Sequence, residues 1–167
     1  MALIVGTDSY ITLADADLYI AANYMSTDTR FIAWDALTDA NKEVVLRKAT
    51  QIIDRLPLVG VKSTSTQVLK FPRALYTDAQ SYSVNTVFTF DGMYVQSETP
   101  QDVLDAQCEI ALDLGQGVND RAELQRQGVK SFSLGKLSET YGSVKDVTSF
   151  EARRLLAQFT AGGVRII

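Results

Sequence analysis

Four carboxylates on one predicted helix are the residues of this chain best placed to do chemistry. Asp102, Asp105, Glu109 and Asp113 fall at i, i+3, i+7 and i+11, so a helix would carry all four on one face. Clustered carboxylates can act as general acids and bases or bind a divalent cation. Carboxylates along a straight helix diverge, however, so a solvated acidic face is the more ordinary interpretation.

The other residue types that catalysis needs are scarce. The sequence contains no histidine and a single cysteine, Cys108, which excludes Ser-His-Asp and Cys-His catalysis and most zinc sites. Cys108 lies on the apolar side of the same predicted helix, where a small buried residue is expected rather than a nucleophile. No glycine-rich nucleotide loop is present, because Leu134-Gly135-Lys136 lacks the earlier glycine. We therefore expect no enzyme, no metal and no cofactor.

Aromatic side chains offer a second kind of site, for single-stranded nucleic acid. Stacking faces near Lys70 and Arg73 would come from Tyr76, Tyr82, Phe88, Phe90 and Tyr94. The net charge of −4 and the pI near 4.8 weigh against this use, since phosphate affinity comes mainly from Lys and Arg. Aromatics on a hairpin also commonly form cross-strand pairs or assembly contacts.

Helices would position most of these residues. The first is predicted from Leu13 to about Met25, capped by Thr12, with an apolar stripe of Ala14, Leu18, Ala21 and Met25. A short turn over residues 28–34 would place Phe31 and Trp34 together. A longer helix, capped by Thr38 or Asp39, would end near Leu56 before Pro57, with a stripe of Val45, Ala49, Ile52, Ile53 and Leu56.

The second half of the chain predicts two more helices and two hairpins. Thr99 would cap a helix with Pro100 at its first position, running to about Leu114 and buried on three sides. Ser149 would cap a final helix that ends at Gly162-Gly163. One hairpin is predicted around Asp91-Gly92, and a second across Gly135-Lys136, while residues 57–72 read as an ordered loop. Residues 121–127 allow a short polar helix.

Length and composition indicate one soluble domain. A chain of 167 residues with 46% hydrophobic and 22% charged residues suits a single folded core. The N-terminus predicts no signal peptide, and no apolar run is long enough to cross a membrane. We expect one domain over residues 1–161 and a docking tail over residues 162–167.

Four segments follow one another in a distinctive order: Leu69-Lys70-Phe71-Pro72-Arg73, Phe90-Asp91-Gly92-Met93-Tyr94, Thr99-Pro100 and Ala106-Gln107-Cys108-Glu109-Ile110-Ala111-Leu112. In that order they resemble the small head-to-tail adaptor proteins of tailed bacteriophages, some of which are also labelled DnaT-like single-stranded-DNA-binding proteins. The stretch from Ser9 to Asp17 is similar to the opening of that family, and the stretch from Val129 to Tyr141 is similar to its late hairpin.

The resemblance implies a fold and a function. The fold would be mainly α, a small bundle of about four to five helices with two projecting β-hairpins. The chain would form a ring, usually twelvefold, beneath the portal of the virion, after synthesis in the host cytoplasm. Its partners would be the portal protein, a tail or nozzle protein and copies of itself, with genomic double-stranded DNA passing through the channel without specific binding, and with no membrane. The alternative is a DnaT-like replication accessory that binds single-stranded DNA.

Two projecting hairpins and an apolar tail after Gly162-Gly163 indicate where such an assembly protein would make its contacts, and the resemblance adds a role for the acids. The tail Gly163, Val164, Arg165, Ile166 and Ile167 would contact the portal or a neighbouring subunit. Hairpin contacts in the assembly would come from Phe88, Phe90, Tyr94, Phe132, Leu134 and Leu137. The acids Asp102, Asp105, Glu109 and Asp113 would face the channel, where negative walls repel passing phosphates.

Overall fold

Helices are the main secondary-structure elements of the described chain. The computed structural model describes residues 2–76, 89–90, 93–117, 131–134, 137–140 and 149–160. These contain helices α1 (Leu13–Asn23), α2 (Thr29–Asp35), α3 (Asp39–Arg55), α4 (Gln101–Gly115) and α5 (Phe150–Leu156), with a 3₁₀ turn at Ala157–Phe159. The fold is mainly α, as the sequence predicts. No helix among these residues is long and apolar enough to span a bilayer.

Helix α4 is the centre of the core. It packs against α1, α2, α3 and α5, and most of its side chains are sealed from solvent, including Val103, Ala106, Ile110 and Leu112. The prediction of a helix buried on three sides is confirmed. Cys108 is fully buried, so it packs as a small apolar residue, and burial raises the pKa of its thiol.

Side-chain caps begin three of the helices as predicted. Thr12, Thr38 and Ser149 each accept a hydrogen bond from the backbone N–H three residues later. The cap predicted for α4 is wrong by one position, because Pro100 rather than Thr99 is the residue before the first turn, and no side chain caps it. Helix α3 ends at Arg55, before Pro57, as expected.

Helix α1 buries a different face from the predicted one. Its fully buried residues are Ala16 and Ile20, whereas Leu18 and Met25 of the predicted stripe are 69% and 76% exposed. The helix also ends at Asn23, so Met25 lies beyond it. Polar groups on the buried side hold this orientation, as described below, and the apolar period alone does not reveal them.

The first predicted hairpin is part of a larger sheet. Strands β1 (Val61–Lys62), β2 (Arg73–Tyr76), β3 (Thr89–Phe90) and β4 (Met93–Val95) form an antiparallel sheet in the order β1-β2-β4-β3. The β3–β4 hairpin is confirmed, with Phe90 opposite Met93. Strands β1 and β2 were not predicted: β1 has only two residues and lies in the segment 57–72 that was interpreted as a loop, and β2 directly follows Pro72.

Glycine is required where the chain enters β1. Gly60 has φ +76°, and a Cβ there would clash with the carbonyl oxygen of Ala74 on the neighbouring strand. Both the positive φ and the close approach of strand β2 therefore exclude a side chain at this position.

The second predicted hairpin is confirmed by strands β5 (Ser131–Leu134) and β6 (Leu137–Thr140). They pair antiparallel from Ser131 opposite Thr140 to Leu134 opposite Leu137, the register expected for a two-residue loop. The short helix over residues 121–127 and the tail over residues 162–167 lie outside the described residues. The end predicted for the final helix at Gly162-Gly163 is wrong, because α5 ends at Leu156, the 3₁₀ turn ends at Phe159, and Thr160 is extended and pairs with Leu58 in an isolated β-bridge.

Candidate functional site

The four acids of α4 do not form one site. Asp102 accepts a hydrogen bond from Nε2 of Gln158, and Asp105 accepts one from Nε2 of Gln101 at 2.7 Å. Both are partly exposed, as is Asp113. No group of three or more His, Cys, Asp or Glu side chains that could hold a metal ion occurs within the described ranges.

Glu109 corrects the prediction that all four acids face solvent or a channel. It is only 4% exposed, and its carboxylate accepts hydrogen bonds from two tyrosines of the α1 region. The Tyr19 hydroxyl donates to Oε1 at 3.0 Å, and the Tyr24 hydroxyl lies 2.6 Å from both carboxylate oxygens. Burial, together with this carboxylate, raises the pKa of both phenols. Glu109 therefore joins α4 to α1 rather than facing solvent.

Two further polar contacts fix the orientation of α1. Oδ1 of Asp17 accepts a hydrogen bond from Nε1 of Trp34 at 2.7 Å and pairs with Nζ of Lys42 at 3.0 Å. The Lys42 ammonium also lies 5.3 Å from the centroid of the Trp34 ring. Lys42 is only 9% exposed, which is unusual for a lysine, and its pairing with Asp17 offsets the cost of burying its charge.

Gln107 is a buried polar residue that the sequence analysis named only as part of the motif Ala106–Leu112, without a role of its own. It is fully buried on α4, where its Oε1 accepts from the backbone N–H of Tyr10 at 3.0 Å. Its Nε2 donates to Oγ of Ser9 at 2.8 Å and to the carbonyl of Leu46 at 3.1 Å. One amide thus connects the N-terminal segment, α3 and α4. The only sequence signal is a glutamine among small apolar residues.

Tyr10 also connects separate segments of the chain, beside the sheet. Its hydroxyl donates to Asp54 on α3 and accepts from the backbone N–H groups of Lys70 and Phe71, at 3.2 and 3.3 Å. Its ring packs edge-on against Phe71, which in turn packs edge-on against Phe159. This contact holds the segment before Pro72 against the helical core.

Arg73 is not available to bind phosphate. Its side chain is buried and donates hydrogen bonds to four backbone carbonyls, those of Leu58, Val59, Gly60 and Lys70, at 2.5 to 3.3 Å. The proposed stacking site beside Lys70 and Arg73 therefore loses its arginine. Of its aromatic members, Tyr82 and Phe88 lie outside the described residues, as do the side chains of Tyr76, Phe90 and Tyr94.

Other cations are also engaged within the protein. Arg47 pairs with Asp8 at 2.8 Å and with Glu43 at 3.4 Å. Nζ of Lys62 donates to two carbonyls of its own loop. Lys48 and Arg55, in contrast, are exposed on α3.

Helix α5 carries a different kind of surface. Phe150, directly after the cap Ser149, is 61% exposed. The guanidinium carbons of Arg153 and Arg154 lie 5.7 and 5.9 Å from the centroid of its ring. Ala152 and Leu156, on the opposite side of the helix, are buried, which directs the aromatic ring and the two cations outward. We call Phe150, Arg153 and Arg154 the α5 cluster; the sequence signal for it is an aromatic with arginines at i+3 and i+4.

The remaining predicted contact residues cannot be placed. Phe132, Leu134 and Leu137 lie on the β5–β6 hairpin, but their side chains are outside the described part of the structure. The tail residues Gly163, Val164, Arg165, Ile166 and Ile167 also lie outside it.

The described part of the chain is a small, mainly helical fold, held together by buried polar contacts and displaying an aromatic residue beside two cations on α5. The chain belongs to the family described as "putative DnaT-like ssDNA binding protein", whose model matches residues 1–166. No curated protein and no solved structure matches the chain.

Proposed function

We propose that this protein binds single-stranded DNA and has no catalytic role. The observation that carries the proposal is the family match, which covers residues 1–166 and whose description names single-stranded DNA binding. The exposed aromatic of α5 beside two arginines supports it, because stacking faces next to cations are the usual elements of such binding. This was the alternative function in the sequence analysis, and the family description favours it over the adaptor role.

The test is a titration of fluorescein-labelled oligothymidylate of 20 nucleotides with the full chain, followed by fluorescence anisotropy. We expect binding that weakens as salt rises from about 50 to 200 mM, because the contacts displace counterions from phosphates. A duplex of the same length should bind more weakly, because its bases are not free to stack on the protein. Absence of binding at the lowest salt concentration would overturn the proposal.

We propose the head-to-tail adaptor as a second candidate, favoured by a different observation. Leu18 and Met25 are 69% and 76% exposed in the α1 region, and exposed apolar side chains often mark contacts with other proteins. The order of motifs in the sequence supports the same role. In this proposal the chain is a virion component that binds the portal, a tail or nozzle protein and copies of itself, with genomic DNA passing through the ring.

Quantitative mass spectrometry of purified virions tests this candidate. A copy number near that of the portal protein would support a stoichiometric ring, and absence from virions would exclude it. The docking tail has its own test: truncation after Ala161 should leave a folded protein that no longer joins portals. Unimpaired joining by the truncated chain would remove residues 162–167 from the proposed contact.

A further inference from the structure

Phe150 has no evident structural reason to be aromatic. Its side chain is 61% exposed at the first position of α5, so it contributes little buried apolar area to the fold. The helix is held instead by Ala152 and Leu156, which are buried, and by the Ser149 cap, whose Oγ accepts from the N–H of Ala152 at 3.2 Å. A large apolar ring displayed at the surface is available for a ligand.

Within the described ranges, each of the two arginines beside the ring makes a single hydrogen bond. Arg153 donates from Nε to the carbonyl of Ser149 at 3.3 Å, and Arg154 donates from Nη1 to Glu151 at 3.3 Å. A guanidinium has five N–H donors, so several on each side chain are left for a ligand. Their centroid distances of 5.7 and 5.9 Å lie near the outer limit of a cation–π contact, which leaves the ring loosely covered.

We propose that the α5 cluster is a base-stacking site for single-stranded DNA. A nucleobase stacks on the ring of Phe150, and the guanidiniums of Arg153 and Arg154 bind the phosphates on either side of that nucleotide. Because every base has an aromatic face, the site tolerates any sequence. The inference rests on the proposed function and adds to it the surface and the mode of binding.

Glu151 limits the affinity of this site. It is the only carboxylate on α5, its side chain is 50% exposed, and it pairs with Arg154. A phosphate must compete with this carboxylate for the same guanidinium. Removal of the charge should therefore strengthen binding, whereas a purely structural ion pair would leave DNA binding unchanged.

The experiment compares single substitutions in the full chain, with fluorescein-labelled oligothymidylate of 20 nucleotides as the probe. Phe150→Ala should weaken binding at least about fivefold, the lower end of the effect of losing one stacking contact, and Phe150→Trp should retain it. Phe150→Leu separates stacking from apolar area, because it keeps the apolar bulk yet should weaken binding like alanine. Leu18→Ala is the matched control, since Leu18 is an apolar side chain of similar exposure on α1.

Two substitutions test the charged residues, one expected to weaken DNA binding and one expected to strengthen it. Arg154→Gln should weaken binding, and Glu151→Gln should strengthen it, while Lys48→Gln on α3 serves as the control for loss of one exposed cation. An abasic oligonucleotide of the same length should bind wild type and Phe150→Ala equally, because it offers no base to stack. Circular dichroism melts would verify that the exposed positions leave the fold intact.

Two results would overturn the proposal, and they differ. If wild type binds the probe but Phe150→Ala binds like Leu18→Ala, the site is wrong and the proposed function stands. If wild type does not bind at all, the proposed function fails and the site fails with it.

Discussion

Replacement of Gln107 by leucine would test whether its buried amide connects three segments of the core. Leucine nearly conserves the side-chain volume but removes all three hydrogen bonds, to the N–H of Tyr10, the hydroxyl of Ser9 and the carbonyl of Leu46. The hydroxyl of Ser9 also bonds to Ile11, so only the Tyr10 N–H lies buried without a partner.

The expected magnitude follows from that single orphaned donor. A buried donor without a partner costs about 1 to 3 kcal/mol. The Leu46 carbonyl keeps a hydrogen bond from Oγ1 of Thr50 at 3.1 Å, so it adds little. We therefore expect Gln107→Leu to lower the free energy of unfolding by about 1 to 3 kcal/mol, a fall in Tm of roughly 2 to 12 °C for a chain of this size.

Urea unfolding followed by circular dichroism measures this change, with Gln51→Leu as the matched control. Gln51 is exposed on α3, so the same chemical replacement there should change stability by less than about 0.5 kcal/mol. The m-value should be unchanged, because both states expose similar surface. If the two variants were equally stable, the amide would not hold the core together and the reasoning would be refuted.

Three further predictions concern other polar groups. Arg73→Lys should lower the free energy of unfolding by about 2 kcal/mol or more, since an ammonium cannot reach four carbonyls as the guanidinium does; a melt equal to that of wild type would contradict it. Burial raises the pKa of Asp105 despite its hydrogen bond from Gln101, so the charged form is disfavoured in the folded state. Asp105→Asn should therefore raise stability at pH 7 and lose this gain as the pH falls below about 4, where the wild-type carboxyl is protonated in both states; a gain that persisted at pH 3 would refute the electrostatic cause. Tyr24→Phe should destabilise the fold by about 1 to 2 kcal/mol in thermal melts, because Glu109 keeps only the hydroxyl of Tyr19.

Helix α3 shows what the sequence alone could predict. Its cap at Thr38 and its end before Pro57 are local signals, and both are confirmed. Its predicted stripe is confirmed only in part, because Ala49, Ile53 and Leu56 are buried, whereas Val45 and Ile52 are half-buried and the fully buried Leu46 was not predicted. The two hairpins were predictable for the same reason, because Asp91-Gly92 and Gly135-Lys136 separate short runs of strand-forming residues. Local chemistry fixes where these elements begin and end.

Helix α1 and Glu109 show where the sequence could not suffice. Leu13, Ala16 and Ile20 form a second apolar stripe on α1, and this stripe faces the core, whereas the predicted stripe with Leu18 is exposed. The buried face is decided by Tyr19 and Tyr24, whose partner Glu109 lies 90 and 85 residues away in the chain. A spacing of acids along one helix cannot reveal such a partner, so Glu109 resembled its exposed neighbours.

Not every positive charge in the chain is available to bind DNA. The net charge of −4 weighs against any grip on phosphates, and the structure adds that Arg73 and Lys42 are buried and engaged within the fold. The arginines of the α5 cluster, in contrast, remain at the surface beside an aromatic ring. Binding should therefore depend more on stacking than on charge.

The salt dependence of binding measures how many phosphates the protein contacts. Each phosphate contact with a single strand contributes about −0.7 to the slope of log K against log salt, so two arginines predict a slope near −1.4. Titrations of the oligothymidylate probe at four salt concentrations measure it, and Arg154→Gln should halve it. A slope steeper than about −3 would mean that other cations, such as Lys48 and Arg55 on the exposed side of α3, carry the DNA, because two guanidiniums cannot release that many counterions.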